Sequence, residues 1–222
     1  MSYFTVKDEA KDSFEEKKSI FIGRTKRVYT ENDAKKFISE IKSLEKEAKH
    51  NVFAYALGEN MNIQRYSDDG EPQGSAGIPV LEVIKKNKIT DVVIVVTRYF
   101  GGILLGKSGL FRAYSKAAAR AVDKAGIIEK IKGVELNIVV DYADIEKIKY
   151  DFQQKFWHIE NIEYEDKVKI LIYCGLEDND KIINRVINIT RGKCEVIVGD
   201  EQYYFKMGNR LYKDETSLSG NI

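Results

Sequence analysis

The sequence is short of the residues on which several functional classes depend. Among 222 residues there are two cysteines, Cys174 and Cys194, and they form neither a metal-type nor a redox-type cluster. Free, buried thiols in a reducing compartment are the expectation. No apolar run approaches the ~18 residues of a membrane-spanning helix. The N-terminus, MSYFTVKDEAKDSFEEKKS, lacks the cationic-then-apolar order of a signal peptide. These absences predict a soluble, cytoplasmic protein with no membrane partner. Charge of one sign is missing too: 36 Lys and Arg oppose 35 Asp and Glu, a formal net charge of +1, which excludes a broadly cationic surface. There is no G-x-S-x-G, H-E-x-x-H or C-x-x-C pattern, so no catalytic residue, metal or cofactor is assigned.

What is present fits a globular chain, 43% apolar and 32% charged, long enough for one large or two small domains. After a charged lead-in, Ser19–Val28 reads as a strand and Thr30–Lys49 as an amphipathic helix, with Ala34, Phe37, Ile38, Ile41 and Leu44 at helical spacing. Two short strands follow, Asn51–Leu57 and Asn62–Tyr66, then the loop SDDGEPQGSAG (67–77) and a helix over Pro79–Lys86. The β-branched run Asp91–Thr97 predicts a strand buried on both faces, and Leu110–Ala125 predicts the clearest helix. Beyond Gly133 the pattern is strand 134–140, helix 142–155, strands 156–164 and 168–174, helix 178–189 and strand 194–206. That order is the ferredoxin-like split βαββαβ motif. The expectation is therefore α+β, with domains at 1–131 and 132–207 and a polar tail at 208–222. Residues 1–131 hold 23 basic and 18 acidic side chains, an excess of five; residues 132–222 hold 13 and 17, a deficit of four. A locally cationic surface on the first domain remains open.

Three constellations offer chemistry. Gly101–Ser108, GGILLGKS, satisfies the phosphate-loop pattern G-x-x-x-x-G-K-[ST] between a strand and a helix, with Lys107 and Ser108 placed to serve phosphate and magnesium. Against it, the second half does not read as repeated βαβ units, and Ile103, Leu104 and Leu105 look like groups that pack onto a core. An anion-binding loop and a structural turn both stay open. Asp68, Asp69 and Glu71 form a carboxylate cluster suited to a hard divalent cation or, equally, to turn chemistry. Along the last helix of the first domain, Arg112, Lys116, Arg120 and Lys124 recur at i+4, with Lys107 at its entrance and Arg98 and Tyr99 at the end of the buried strand. Such a row suits a phosphate backbone, with Tyr66, Tyr99 and Phe100 as stacking faces. The alternative is a solvated helix face. His50 and His158 read as capping or packing residues rather than general bases.

The runs His50–Tyr55 (HNVFAY), SDDGEPQGSAG and VVIVVTRYFGGILLGKSGLFRAYSKAA (92–118) closely resemble the YigZ/IMPACT family. The resemblance implies two domains. The first would have the left-handed βαβ-containing fold of the second domain of a small-subunit ribosomal protein and of domain IV of elongation factor G; the second would be ferredoxin-like. It also implies that the phosphate-loop match is accidental at Lys107 and Ser108, and that the functional face gathers His50, Asp68, Asp69, Gly70, Glu71, Arg98, Tyr99, Gly101, Gly102 and Gly106. Eukaryotic members are translational regulators. The leading expectation is thus a non-enzymatic, translation-associated protein that binds RNA or the ribosome through Arg98, Tyr99, Lys107, Arg112, Lys116 and Arg120, with a protein partner for the acidic second domain. The other is a metal- or nucleotide-dependent hydrolase using the Asp68–Asp69–Glu71 loop or Gly101–Ser108.

Overall fold

In the computed structural model, which describes residues 2–213, strand structure begins at once. β1 (Ser2–Val6) and β2 (Ala10–Glu16) occupy the charged lead-in, which the sequence pattern left irregular. β2 is hidden by its charges: its half-buried face carries Asp12 and Glu16 beside Phe14, and both carboxylates are matched by basic residues of a helix far along the chain. β2 forms a hairpin with β3 (Ser19–Arg27) through a two-residue turn, Lys17–Lys18. Both turn residues have positive φ, 47° and 62°, the geometry whose twist matches paired strands. α1 (Glu31–Leu44) starts at a capping box in which Thr30 and Asp33 exchange side-chain and backbone hydrogen bonds. β4 (His50–Leu57), β5 (Ile63–Ser67), α2 (Gly77–Lys86), β6 (Val92–Tyr99) and α3 (Gly106–Ala125) complete this half.

The sheet order is β2-β3-β6-β4-β5, every neighbouring pair antiparallel. β6 is central and, as its β-branched run predicts, buried on both faces. Val92, Ile94 and Val96 pack under α2 and α3, while Val93 and Val95 pack under α1. β3 and β4, both antiparallel to β6, run parallel to each other on either side of it. α3 lies close on β3 because Gly23 has no side chain; a Cβ there would overlap the carbonyl of Ala117. This first unit comprises residues 3–128.

The second unit runs from residue 129. Its elements are β7 (Ile127–Val140), α4 (Tyr142–Gln154), β8 (Ile159–Tyr164), β9 (Val168–Gly175), α5 (Leu176–Thr190), β10 (Cys194–Val198), β11 (Gln202–Met207) and β12 (Arg210–Tyr212). The order β10-β7-β9-β8, antiparallel throughout, is that of the ferredoxin-like motif. Leu136, Ile138 and Val140 alternate inward against Ile145, Ile148, Phe152, Ile182 and Val186 of the two helices. The chain is α+β, with two sheets and five helices among the described residues.

Two expectations need correction. The strand read over 194–206 is two strands: β10 pairs with 136–140 of β7 and β11 with 129–133, the chain breaking at Gly199, whose N–H donates to Glu135 O at 2.8 Å. The tail expected from 208 contains β12, paired with β11; residues 214–222 of that tail lie outside the described residues. No helix among the described residues is long and apolar enough to cross a membrane.

Both cysteines are free. Cys174 on β9 is buried, and that burial pushes its thiol up to about 12, whereas Cys194 is half-buried at the start of β10. Alkylation of the native protein at about pH 8 should therefore label Cys194 alone, with Cys174 reacting only in denaturant. Rapid labelling of both, seen by mass spectrometry, would contradict this burial.

Candidate functional site

The loop from Asp68 to Ala76 is organised by its own carboxylates. Asp68 Oδ1 accepts from the N–H of Ala76 at 2.9 Å and of Gly77 at 2.8 Å, and Oδ2 accepts from Gly74 N–H at 2.8 Å. α2 has no side-chain cap at Ala76, so Asp68 supplies it from eight residues upstream. Asp69 sits at φ 45°; its Oδ2 accepts from Asn51 N–H at 2.6 Å and its Oδ1 pairs with Lys42 Nζ at 2.6 Å. The Asp69 carbonyl lies 2.8 Å from His50 Nδ1, which must donate. The neutral His50 ring therefore carries its lone pair on Nε2. Gly70, at φ 86°, lets the chain turn against the face of that ring.

Glu71 is buried under α3. Its Oε1 accepts from Arg98 Nη1 at 2.7 Å and from the Tyr114 hydroxyl at 2.8 Å. Burial, then the Glu71 charge, pushes the Tyr114 hydroxyl far above its ordinary range, so it stays a donor. Arg98 is 5% exposed; its Nη2 reaches Ser19 Oγ at 3.4 Å and its guanidinium lies over Phe21 and Phe100. The expectation that Arg98 meets a phosphate directly is thus corrected: it faces the core, because alternation along β6 turns residues 92, 94, 96 and 98 toward α2 and α3.

Tyr99 turns the other way. Its hydroxyl donates to Glu45 Oε2 at 2.6 Å just beyond α1, and Arg24 pairs with the same carboxylate. Although burial opposes ionisation, Tyr99 and Arg24 hold the Glu45 carboxyl below its ordinary range. Arg24 also donates to Thr97 Oγ1, which donates to Asn51 Oδ1 at 2.8 Å. Arg98 and Tyr99, adjacent in sequence, therefore serve opposite faces of the sheet.

Beyond Phe100 the chain crosses the β2–β3 hairpin. A Cβ on Gly101 would overlap the Lys18 carbonyl, and Gly101 N–H donates to Ser19 Oγ at 3.2 Å. Gly102 and Gly106 have φ of 83° and 70°. Of the three apolar residues expected to pack inward, only Leu105 does; Ile103 and Leu104 are 41% and 81% exposed. Lys107 and Ser108 are exposed on the first turn of α3. The phosphate-loop reading is not met structurally, since both neighbours of β6 are antiparallel where that motif needs a parallel sheet.

The basic row on α3 is unevenly compensated. Arg120 Nε pairs with Asp12 at 2.6 Å and holds that carboxyl below its usual range. Lys116 Nζ lies 4.0 Å from Glu16 and over the Phe14 ring. Arg112 and Lys107 are exposed with no acidic partner among the described residues, as are Lys17 and Lys18 in the hairpin turn. A cleft of about 200 Å³ between that turn and α3 is lined by Lys17, Arg112 and Lys116, with Glu16 as its one acidic residue. The hairpin lysines escape sequence reasoning, although two residues between an alternating run and a strand are themselves a hairpin signal. Ser19, Asn51 and Tyr114 escape it too; no local pattern marks a residue that acts as a hydrogen-bond partner across the fold.

Known proteins are similar to this chain in sequence and in fold. Residues 17–122 match the family described as "Impact N-terminal domain", and residues 138–193 match "Domain of unknown function (DUF1949)". The chain is 37% identical to "IMPACT family member YvyE" of Bacillus subtilis (strain 168) over 214 residues, 96% of this chain and 99% of that protein. The chain belongs to the IMPACT family. Within the IMPACT family it is 28% identical to "IMPACT family member YigZ" of Escherichia coli (strain K12), over 83% of this chain and 92% of that one. It is 41% identical to "Protein IMPACT homolog" of Dictyostelium discoideum over 98 residues, which is only 28% of that longer protein. A solved structure titled "Crystal structure of an hypothetical protein" superposes with a TM-score of 0.56 at 25% identity, covering 90% of this chain and 98% of that one. The residues matched by the first family model include the interlocked ones of the first unit: Asp68, Glu71, Arg98 and Gly101 hold loop, strand and hairpin to one another.

Proposed function

We propose that this IMPACT-family chain is a translation-associated RNA-binding protein, meeting RNA or the ribosome through the end of the first unit where the β2–β3 turn meets α3. The observation that supports this best is the set of uncompensated cations there, Lys17, Lys18, Lys107 and Arg112, beside the exposed rings of Phe100 and Phe111, 47% and 42% exposed. Cations neutralise phosphates, and rings accept unpaired bases without regard to sequence. Lys116 and Arg120 extend the surface more weakly, since Glu16 and Asp12 already screen them. Arg98 acts from beneath, by fixing Glu71 and the loop. Tyr99 contributes to the opposite face. The acidic excess of residues 132–222 supports a basic protein partner for the second unit.

The hydrolase reading draws no support from the site. Each carboxylate of the Asp68–Asp69–Glu71 loop is occupied by donors of the protein itself.

The test is fluorescence anisotropy with labelled single-stranded RNA across a salt series. Four phosphate contacts, one for each of Lys17, Lys18, Lys107 and Arg112, predict a log–log slope of about −3. The double variant Lys17→Glu/Arg112→Glu should abolish binding with the melting temperature unchanged, because both side chains are exposed and unpaired. Salt-independent binding, or binding indifferent to the double variant, would overturn the assignment.

A further inference from the structure

We propose that the second unit takes up an extended peptide of a partner protein as an added strand on the free edge of β8, the peptide alternating apolar and basic residues. β8 lies at the end of its sheet, hydrogen-bonded to β9 and to no other strand among the described residues. Its outer row of backbone N–H and C=O groups is the template that strand addition uses. The inference rests on the reading of a basic protein partner for this unit and is independent of RNA binding by the first.

Three observations single out this edge. First, it borders a groove of about 600 Å³, walled by Phe152 of α4, Phe156 and Trp157 just beyond it, Ile159 and Ile162 of β8 and Met207 of β11. The two cations of the wall already have acidic partners: Lys149 pairs with Glu146 at 2.9 Å and Arg210 with Glu160 at 3.0 Å. Burial, then the Arg210 charge, holds His158 in the same wall below the ordinary imidazole range. The groove therefore suits apolar side chains rather than an anion. Second, the register of β8 on β9 is irregular between Ile159 and Asn161. Residues three apart normally take opposite faces of a strand, but here Ile159 and Ile162 both pack against the core beneath the helices. Asn161 and Glu163 are exposed on the other, open face. Third, Phe156 ends α4 at φ 57°, a left-handed position that usually falls to glycine. Its side chain is 70% exposed and Met207 is 37% exposed, so burial within the free unit does not offset that strain. An occupant of the groove would cover both.

The two faces of β8 indicate the chemistry of the added strand, which presents its side chains to them in turn. On the helix side those side chains enter the apolar groove. On the open side they meet Glu163, which makes no ion pair among the described residues: Lys169, opposite it on β9, is engaged by Glu165 at 2.7 Å. The acidic excess of the unit, 17 carboxylates against 13 basic residues over 132–222, acts in the same sense. Apolar on one face and basic on the other at a period of two is the pattern of an extended segment; a helix would repeat at 3.6.

The experiment is titration calorimetry of the full chain with synthetic peptides of about ten residues that alternate Lys with Val, Leu or Phe. Each peptide is also made N-methylated at every Lys, or at every apolar residue. The N–H groups of alternate residues in a strand point to the same side, so methylation of one set should weaken binding about tenfold or more while the other set is tolerated. Phe156→Gly suits the left-handed backbone and should leave the melting temperature unchanged or higher, yet weaken the tightest peptide about tenfold. Equal binding of both methylated forms, or binding indifferent to Phe156→Gly, overturns the added strand and leaves the basic-partner reading standing. Absence of binding by every peptide overturns both.

Discussion

Arg98→Met is expected to lower the free energy of unfolding by about 3–5 kcal/mol, the cost of leaving one charge of a buried pair uncompensated. Glu71 and Arg98 are nearly inaccessible to solvent, with side chains 4% and 6% exposed at a separation of 2.7 Å. With the guanidinium gone, the carboxylate keeps only the Tyr114 hydroxyl as a side-chain partner among the described residues. Urea unfolding followed by circular dichroism measures the loss. The double variant Arg98→Met/Glu71→Gln should recover much of it, because a neutral amide still accepts from Tyr114 and no charge is left buried. A cost for the single variant below about 1 kcal/mol would instead place the pair in the class of solvent-screened surface bridges.

The second large effect is expected at Asp68. Asp68→Ala deprives Gly74, Ala76 and Gly77 of their acceptor at the start of α2 and should cost roughly 3 kcal/mol. Asp68→Asn should fall between, since one carbonyl oxygen still serves Ala76 and Gly77 while the amide nitrogen meets the Gly74 N–H. A carboxylate retained for a cation makes the opposite prediction. Crowded like charges repel, so removing one of three would stabilise the empty loop. Thermal unfolding of the two variants separates these readings by the sign of the change.

The periodic elements were legible in the sequence. The β-branched run of β6, the apolar stripe of α3 and the βαββαβ succession follow from spacing alone. β2 was not legible, because the partners that make Asp12 and Glu16 acceptable lie at positions 120 and 116. The break between β10 and β11 is hidden for a related reason: both strands pair with β7, and nothing local at Gly199 shows where the partner changes. At the site, residue types are easier to read than directions. Arg98 is recognisable as important yet is assigned to solvent, because a basic residue at a strand end carries no mark of which face it takes. The acidic loop reads as turn or metal chemistry; it is a turn, closed by the Glu71 N–H on the Asp68 carbonyl, and the Asp68 side chain also caps α2 from a distance. Sequence offers the cluster; only the fold shows that each carboxylate already has a donor of the protein itself.

The place of β6 also orders the events of folding. The β2–β3 and β4–β5 hairpins join neighbours in sequence and can close early, as local contacts do. They are not neighbours in the sheet: β3 and β4 each pair with β6, which is made after both. Until residue 99 is available, the two hairpins have no common sheet and no shared core. A chain emerging from synthesis therefore gains this unit in one late step, when β6 inserts between ribbons already formed. Slow completion of β6 would leave the facing edges of β3 and β4 open to pairing with other chains.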